Sequence, residues 1–227
     1  MGKPEFLELL AFHIGPFAIS ATVLTTWLLM ALLTGLAWLG TRRLSVDAPS
    51  RFQMALEGSV LALRQAIGDM APGHATRLLP FIGTLWLFIA AANLMGLVPG
   101  LRSPTGDLSL TVALAIVVFL AVHWFGIRID GWRTYLKHYL DPNPILLPFH
   151  LLGEITRTLA LAVRLFGNMM SLEMAALLVL LVAGFLAPIP LLMLHIIEAL
   201  VQAYIFGTLA LVYIAGALQA HELHHKD

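Results

Sequence analysis

The chain has 227 residues, of which 59% are hydrophobic and only 11% are charged. A soluble domain carries about 25% charged residues, so this composition predicts an integral membrane protein. Thirteen basic residues balance thirteen acidic ones, which leaves no positive field for nucleic acid, and the lack of cysteine excludes disulfides and thiolate chemistry. The sequence also lacks phosphate-loop, zinc-protease and serine-hydrolase motifs, so we expect no cofactor, no metal and no catalysis by this chain alone.

The amino-terminal third is predicted to contain one membrane span and one interfacial helix. Residues 1–15 are of mixed polarity and are expected at the outer surface. Helix 1 covers residues 16–41, and its apolar run is too long for a signal-peptide core, which predicts a retained span. In residues 47–70, charged side chains alternate with apolar ones at helical spacing, which predicts an amphipathic interfacial helix 2.

Four further apolar runs predict four more membrane helices. Helix 3 covers 78–98 and helix 4 covers 108–129, with Asp107 placed to cap helix 4. Helix 5 at 149–185 and helix 6 at 191–219 are much longer than the roughly 20 residues that a bilayer requires. We therefore expect both to be tilted and to form a hairpin before a cytoplasmic tail at 220–227. The predicted fold is an all-α membrane protein with five membrane helices, one amphipathic helix and a single domain.

The distribution of basic residues predicts the orientation. With the amino terminus outside, two basic residues, Lys3 and Arg102, lie outside and nine lie inside. The inner residues are Arg42, Arg43, Arg51, Arg64, Arg77, Arg128, Arg133, Lys137 and Lys226. This excess follows the positive-inside rule and places the carboxyl terminus in the cytoplasm.

Helix 5 carries the most unusual residue, because Arg164 lies in the middle of an apolar span. An arginine there costs roughly 2.5–3.5 kcal/mol, so it indicates a functional site. At about 100° per residue, Arg157 and Asn168 share its side of the helix and Glu154 lies close to that side, whereas Glu173 points the opposite way. Glu154 and Arg157, three residues apart near the inner end, are expected to be either a functional polar pair or a plain ion pair.

Helix 6 contributes a second polar face formed by His195, Glu198 and Gln202. If helices 5 and 6 run antiparallel side by side, Arg164 is level with Gln202 and Glu173 is level with His195. Titratable groups in this arrangement favour a hydrated proton or cation path. A mutually satisfied Glu and His pair, and amides that join two helices, are the structural alternatives.

The segment RLFGNMMSLE, Arg164–Glu173, resembles subunit a of F-type ATP synthases. The resemblance covers most of the chain and extends to ANLMGLVP ending at Pro99, PTGDLSLT from Pro104, EITRTLALAVRLFGN from Glu154 and HIIEALVQAYIF from His195. It implies that Arg164 is the family's essential arginine and that Glu173, His195 and Gln202 occupy its polar channel positions. Glu198 is an additional carboxylate in this group.

The resemblance also implies a mechanism, partners and a location. Two offset aqueous half-channels would lead H⁺ or Na⁺ to the carboxylates of a c-ring, with Arg164 separating them. The partners would be the c-ring and the peripheral-stalk b subunits, in a bacterial inner membrane. The residues leave two other functions open, namely a self-contained ion channel or secondary carrier, and a structural membrane anchor.

Overall fold

The computed structural model describes residues 13–14, 17–18, 20–42, 44–45, 49–98, 102–131, 147–183 and 189–222. Within these ranges the chain forms six α-helices. They are α1 (Ala21–Thr41), α2 (Arg51–Met70), α3 (Ala75–Leu94), α4 (Leu108–Asp130), α5 (Leu147–Ala183) and α6 (Ile189–Glu222). Two short 3₁₀ helices, η1 (Met95–Leu97) and η2 (Pro104–Gly106), lie in the connection between α3 and α4.

A two-residue antiparallel ladder precedes the first helix. Strand β1 (His13–Ile14) pairs with β2 (Phe17–Ala18), so that His13 lies opposite Ala18. Helix α1 begins at Ala21, after Ser20 in an extended conformation. Most of the expected surface segment 1–15, the loop between helices 4 and 5 and the last residues of the expected tail lie outside the described residues.

The predicted fold class is confirmed. Five helices, α1 and α3 to α6, are long and apolar enough to cross a membrane. Helix α2 is the amphipathic helix, and the Ser50 hydroxyl caps it by accepting a hydrogen bond from the Gln53 backbone N–H. Helices α5 and α6 contain 37 and 34 residues, so each is longer than an upright span of about 20 residues.

The apolar core lies where α3, α4, α5 and α6 meet, and the end of α2 closes it at one side. Its fully buried members include Ile67 of α2, Ile89 of α3, Leu165 of α5, and Phe206 and Ile214 of α6. Helix α3 packs mainly along α6, whereas α4 packs mainly along α5. Large side chains of α1 and of the second half of α5 face outward, for example Trp27, Leu181 and Val182, which is the surface that lipid or a neighbouring subunit must cover.

Helices α3 and α6 lie close together at Gly207. The indole of Trp86 lies over this glycine, stacks on Tyr204 with ring centroids 5.9 Å apart, and donates a 3.2 Å hydrogen bond to the Tyr204 carbonyl. A methyl group at Gly207 would overlap the indole ring. Glycine is therefore required here by packing, because only a residue without a Cβ lets the indole reach the α6 backbone.

We expect Gly207→Ala to destabilise the protein by about 1–3 kcal/mol, because overpacking forces the indole from its place between α3 and α6. The thermal unfolding midpoint in detergent measures the effect. Gly216→Ala is the matched control on the same helix, since nothing lies within 4 Å of a Cβ there. Equal midpoints for the two variants would contradict this account of the packing.

Candidate functional site

Arg164 lies in the middle of α5 and is exposed on the surface of the chain. Its neighbours Leu161 and Leu165 are buried in the core, so the helix turns the guanidinium outward. Arg164 makes no hydrogen bond, ion pair or ring contact with any residue that the structure describes. Charged side chains within membrane spans normally face the bundle interior, a water-filled cavity or a partner charge. The position of Arg164 therefore requires water or a counter-charge from outside the described residues.

Glu173 lies two to three turns further along α5 and faces the connection between α3 and α4. One oxygen of its carboxylate accepts a 3.2 Å hydrogen bond from the Ser103 backbone N–H. Gly106 of η2 lies against the same carboxylate, and a Cβ there would stand 3.4 Å from both oxygens. Because Gly106 has no side chain, the Glu173 carboxylate can reach the backbone of the loop.

A buried polar cluster continues from that loop into the bundle. Its members are Asn93, Ser103 and Thr105, each at most 4% exposed. The Ser103 and Thr105 hydroxyls are 2.6 Å apart, and the Thr105 hydroxyl donates to the side-chain oxygen of Asn93 at 2.6 Å. Asn93 in turn donates from its side-chain nitrogen to the carbonyl of Ala199 on α6 at 3.1 Å. The cluster therefore joins the loop beside Glu173 to α6.

His195 of α6 closes the other side of this cluster. It is 5% exposed, and its Nε2 lies 3.3 Å from the carbonyl oxygen of Asn93. A carbonyl can only accept, so Nε2 carries the proton of this hydrogen bond. Glu173 and His195 therefore flank one polar cluster, although they make no hydrogen bond to each other.

Asn168 and Gln202 join α5 to α6 one turn beyond Arg164. The Asn168 side-chain nitrogen donates to the Gln202 side-chain oxygen at 2.8 Å. Gln202 is only 2% exposed, and its Nε2 has no acceptor among the residues that the structure describes. A buried amide N–H without an acceptor costs about 1–3 kcal/mol, so this group favours an acceptor or water beside it.

The first turns of α5 contact both α4 and α6. Glu154 lies 3.2 Å from Nε2 of His123 on α4, whereas Arg157 stands over the ring of Tyr213 on α6 at 6.0 Å. That Glu154 and Arg157 also pair with each other stays a prediction. Glu198 is half-buried and forms no hydrogen bond or ion pair within the described part of the chain.

The predicted register between helices 5 and 6 is wrong by about one turn. Gln202 lies opposite Asn168, not opposite Arg164, and Glu173 contacts the α3–α4 connection in place of His195. The prediction assumed two helices side by side along their length. In the structure α5 packs more closely on α4 and α6 more closely on α3, so residue numbers on α5 and α6 do not give equal depths.

Sequence reasoning also missed four polar residues of the site: Asn93, Ser103, Thr105 and His123. Three of them lie in or beside the segments ANLMGLVP and PTGDLSLT, which carried the family resemblance but gave no sign that they meet in space. The signal for His123 was a titratable side chain on an otherwise apolar helix, the same signal that singled out Arg164.

Asp107 caps the amino-terminal end of α4 and links it to α1. Its carboxylate caps α4 by accepting from the Ser109 N–H at 2.9 Å, as predicted, and it also accepts from the Ser109 hydroxyl at 2.8 Å and the Thr22 hydroxyl at 2.7 Å. Partial burial acts to raise the pKa of Asp107, but the hydrogen bonds from Thr22 and Ser109 outweigh it and leave the pKa lowered.

Asp107→Asn keeps a capping side chain but removes this charge. Because the folded pKa is lowered, the carboxylate stabilises the fold above the unfolded pKa of about 3.9, and this contribution disappears as the pH falls through the folded value. We expect the wild type to have the higher thermal midpoint near neutral pH and the difference to shrink below about pH 4. Asp69→Asn, on the exposed face of α2, is the control and should follow the wild-type curve. A difference that widens on acidification would contradict the assignment.

These features define a class of protein. The chain is a multi-pass membrane protein with a polar cluster between apolar helices and a lone arginine turned outward from the middle of a span. The family profile described as ATP synthase A chain matches residues 23–215. "ATP synthase subunit a 2" of Pelobacter propionicus is 66% identical and covers 93% of this chain and 92% of its own.

Two further relatives agree. "ATP synthase subunit a" of Legionella pneumophila (strain Paris) is 58% identical over 98% of this chain and 97% of its own. "ATP synthase subunit a 1" of Hahella chejuensis is 64% identical over 91% of this chain and 88% of its own. The chain belongs to the ATP synthase subunit a family.

Proposed function

We propose that this chain is the ion-translocating stator subunit of a rotary F-type ATP synthase. In this proposal it provides two offset aqueous half-channels to the carboxylates of a c-ring, and Arg164 separates them. Membership of the family supports the stator role in the membrane sector. The observation that carries the proposal further is the outward position of Arg164, without a partner in the described part of its own chain.

A carboxylate on a passing rotor subunit supplies the counter-charge that Arg164 requires. An opposite charge within about 4–6 Å lowers the pKa of a carboxyl group by roughly 1–3 units. A protonated rotor carboxyl that reaches Arg164 therefore releases its ion and becomes the partner of the guanidinium. The fixed positive charge also repels a free cation, so ions cannot pass directly from one half-channel to the other.

The groups on either side of Arg164 suit two separate paths. Glu173 lies nine residues after it, about 13–14 Å along the helix, and contacts the polar cluster of Asn93, Ser103 and Thr105 that extends to His195. Glu154 lies ten residues before it, about 15 Å in the other direction. Since 100 mV across the membrane is worth about 2.3 kcal/mol per charge, keeping the paths apart makes each ion cross by ring rotation and preserves that energy.

The remaining groups are assigned by position. Asn168 and Gln202 lie one turn from Arg164 and hold α5 against α6 where Arg164 meets the ring. Glu198 belongs to the α6 face that carries His195 and Gln202. The chain is not catalytic alone. It works with the c-ring and peripheral-stalk b subunits in a bacterial inner membrane, with the amino terminus outside, and its ion is H⁺ or Na⁺.

We expect Arg164→Ala to abolish ATP-driven ion pumping in the reconstituted complex while the complex still assembles. The removed guanidinium is the group that discharges the rotor carboxyl and blocks the direct path. Pumping is measured in proteoliposomes with a pH-sensitive dye. Arg77→Ala, an exposed arginine at the start of α3, is the control and should pump normally. Normal coupled pumping by Arg164→Ala would refute the proposal.

A self-contained channel or carrier would enclose its own charged groups. The exposed position of Arg164 therefore does not favour this alternative. The purified chain, reconstituted alone in liposomes under an imposed membrane potential, should therefore conduct neither H⁺ nor Na⁺. Flux equal to that of the complete membrane sector would favour the channel in place of the stator subunit.

A further inference from the structure

The pair formed by Glu154 and His123 lies apart from the polar cluster at Glu173. The two side chains belong to α5 and α4, and the Glu154 Oε2 atom is 3.2 Å from His123 Nε2. Glu154 and Glu173 lie on opposite sides of Arg164 along α5, at about 15 Å and about 13–14 Å from it. The pair therefore stands in the half of the membrane that the Glu173 cluster does not reach.

The hydrogen bonds of His123 fix where its protons can be. Nδ1 lies 2.8 Å from the carbonyl oxygen of Phe119, which can only accept, so Nδ1 carries a hydrogen in either charge state. Nε2 is then the atom that gains or loses a proton, and it faces the carboxylate. Without a proton between them, Nε2 and Oε2 would be two facing acceptors in a site where Oε2 is buried. The pair is thus built to hold one exchangeable proton.

We propose that Glu154 and His123 form a proton-sharing pair that serves the half-channel on the side of Arg164 opposite Glu173. The proposal rests on the stator function proposed above. The resting pair shares one proton between Nε2 and the carboxylate. This proton leaves to the aqueous side, and the proton released by a rotor carboxyl replaces it. Only N–H and O–H bonds form and break.

The pair is partly exposed and lies near other charged and titratable groups. The side chains of His123 and Glu154 are 25% and 20% exposed, so both are accessible from one side. The described basic groups nearby are Arg157 of α5 and Arg128 of α4, which stand over the rings of Tyr213 and Trp124 at 6.0 and 5.9 Å. Tyr213 is the described titratable residue that α6 brings to this end of α5.

The pair also indicates which ion this chain carries. Sodium is a hard cation that needs several oxygen ligands, whereas imidazole nitrogen with a carboxylate is a proton donor and acceptor set. An imidazolium would repel a sodium ion. The geometry of this half of the protein therefore favours H⁺ as the coupling ion.

Glu154→Gln tests the proposal without removing the contact. A glutamine amide can donate to the bare Nε2, so packing and the hydrogen bond survive but the exchangeable proton is lost. A positioned proton donor or acceptor contributes about 10²-fold or more to proton transfer. We expect passive proton conductance of F₁-stripped membranes to fall at least about tenfold with normal assembly. Glu57→Gln, on the exposed face of α2, should conduct as the wild type.

The exchanged variant His123→Glu with Glu154→His restores one shared proton across the same helix contact, and we expect its conductance to exceed that of Glu154→Gln. Wild-type conductance in Glu154→Gln, or an assembled exchanged variant that is no better than it, would overturn the proton-sharing role. That result would leave the stator function intact as long as Arg164→Ala still abolishes pumping. If Arg164→Ala pumps normally, the stator function itself falls.

Discussion

This structure depends on one constraint. A cation lies in the middle of an apolar helix, with no counter-charge in the described part of its own chain. Arg164 is turned outward by the burial of Leu161 and Leu165 on either side of it. The cost of a charge at this depth must be offset by water or by a counter-charge from outside the described residues. In the proposed function, a partner subunit that faces α5 supplies this counter-charge.

The other polar residues are arranged around that constraint. On one side of Arg164 the side chains of Asn93, Ser103 and Thr105 are satisfied by one another and by backbone groups, as buried polar groups must be. Glu173 and His195 lie at the two ends of this cluster. On the other side of Arg164, His123 and Glu154 face each other. The polar contacts are therefore local in both halves.

The sequence predicted the helices well because their signals are local. Apolar length identifies a span, and the alternation of charge in α2 identifies an interfacial helix, whatever the rest of the chain does. Arg164 was equally clear, since one charge in an apolar run needs no partner to be recognised. The outward direction of its side chain was not predictable, because it depends on which face of α5 packs on α4.

Contacts between helices that are distant in sequence were the part that could not be predicted. The register of α5 against α6 failed because each of these helices packs mainly on an earlier one. The pairing of Glu154 with His123 crosses from α5 to α4, and Arg157 offered a nearer partner in the sequence. The Asn93 cluster consists of residue types that are also common at helix ends and turns, so their spacing alone did not predict that they form a cluster.

The three ties along α5 have a mechanical consequence. Glu154 contacts α4, Asn168 contacts α6, and Glu173 contacts the loop after α3, so the helix is held at three depths by three different elements. A long rod pushed sideways at its centre bends least when it is braced near the centre and toward both ends. In the proposed stator function, the ring pushes on α5 at Arg164 at each step. The same side chains that surround the ion paths would thus pass that load into the rest of the bundle and keep the point of charge exchange from moving under torque.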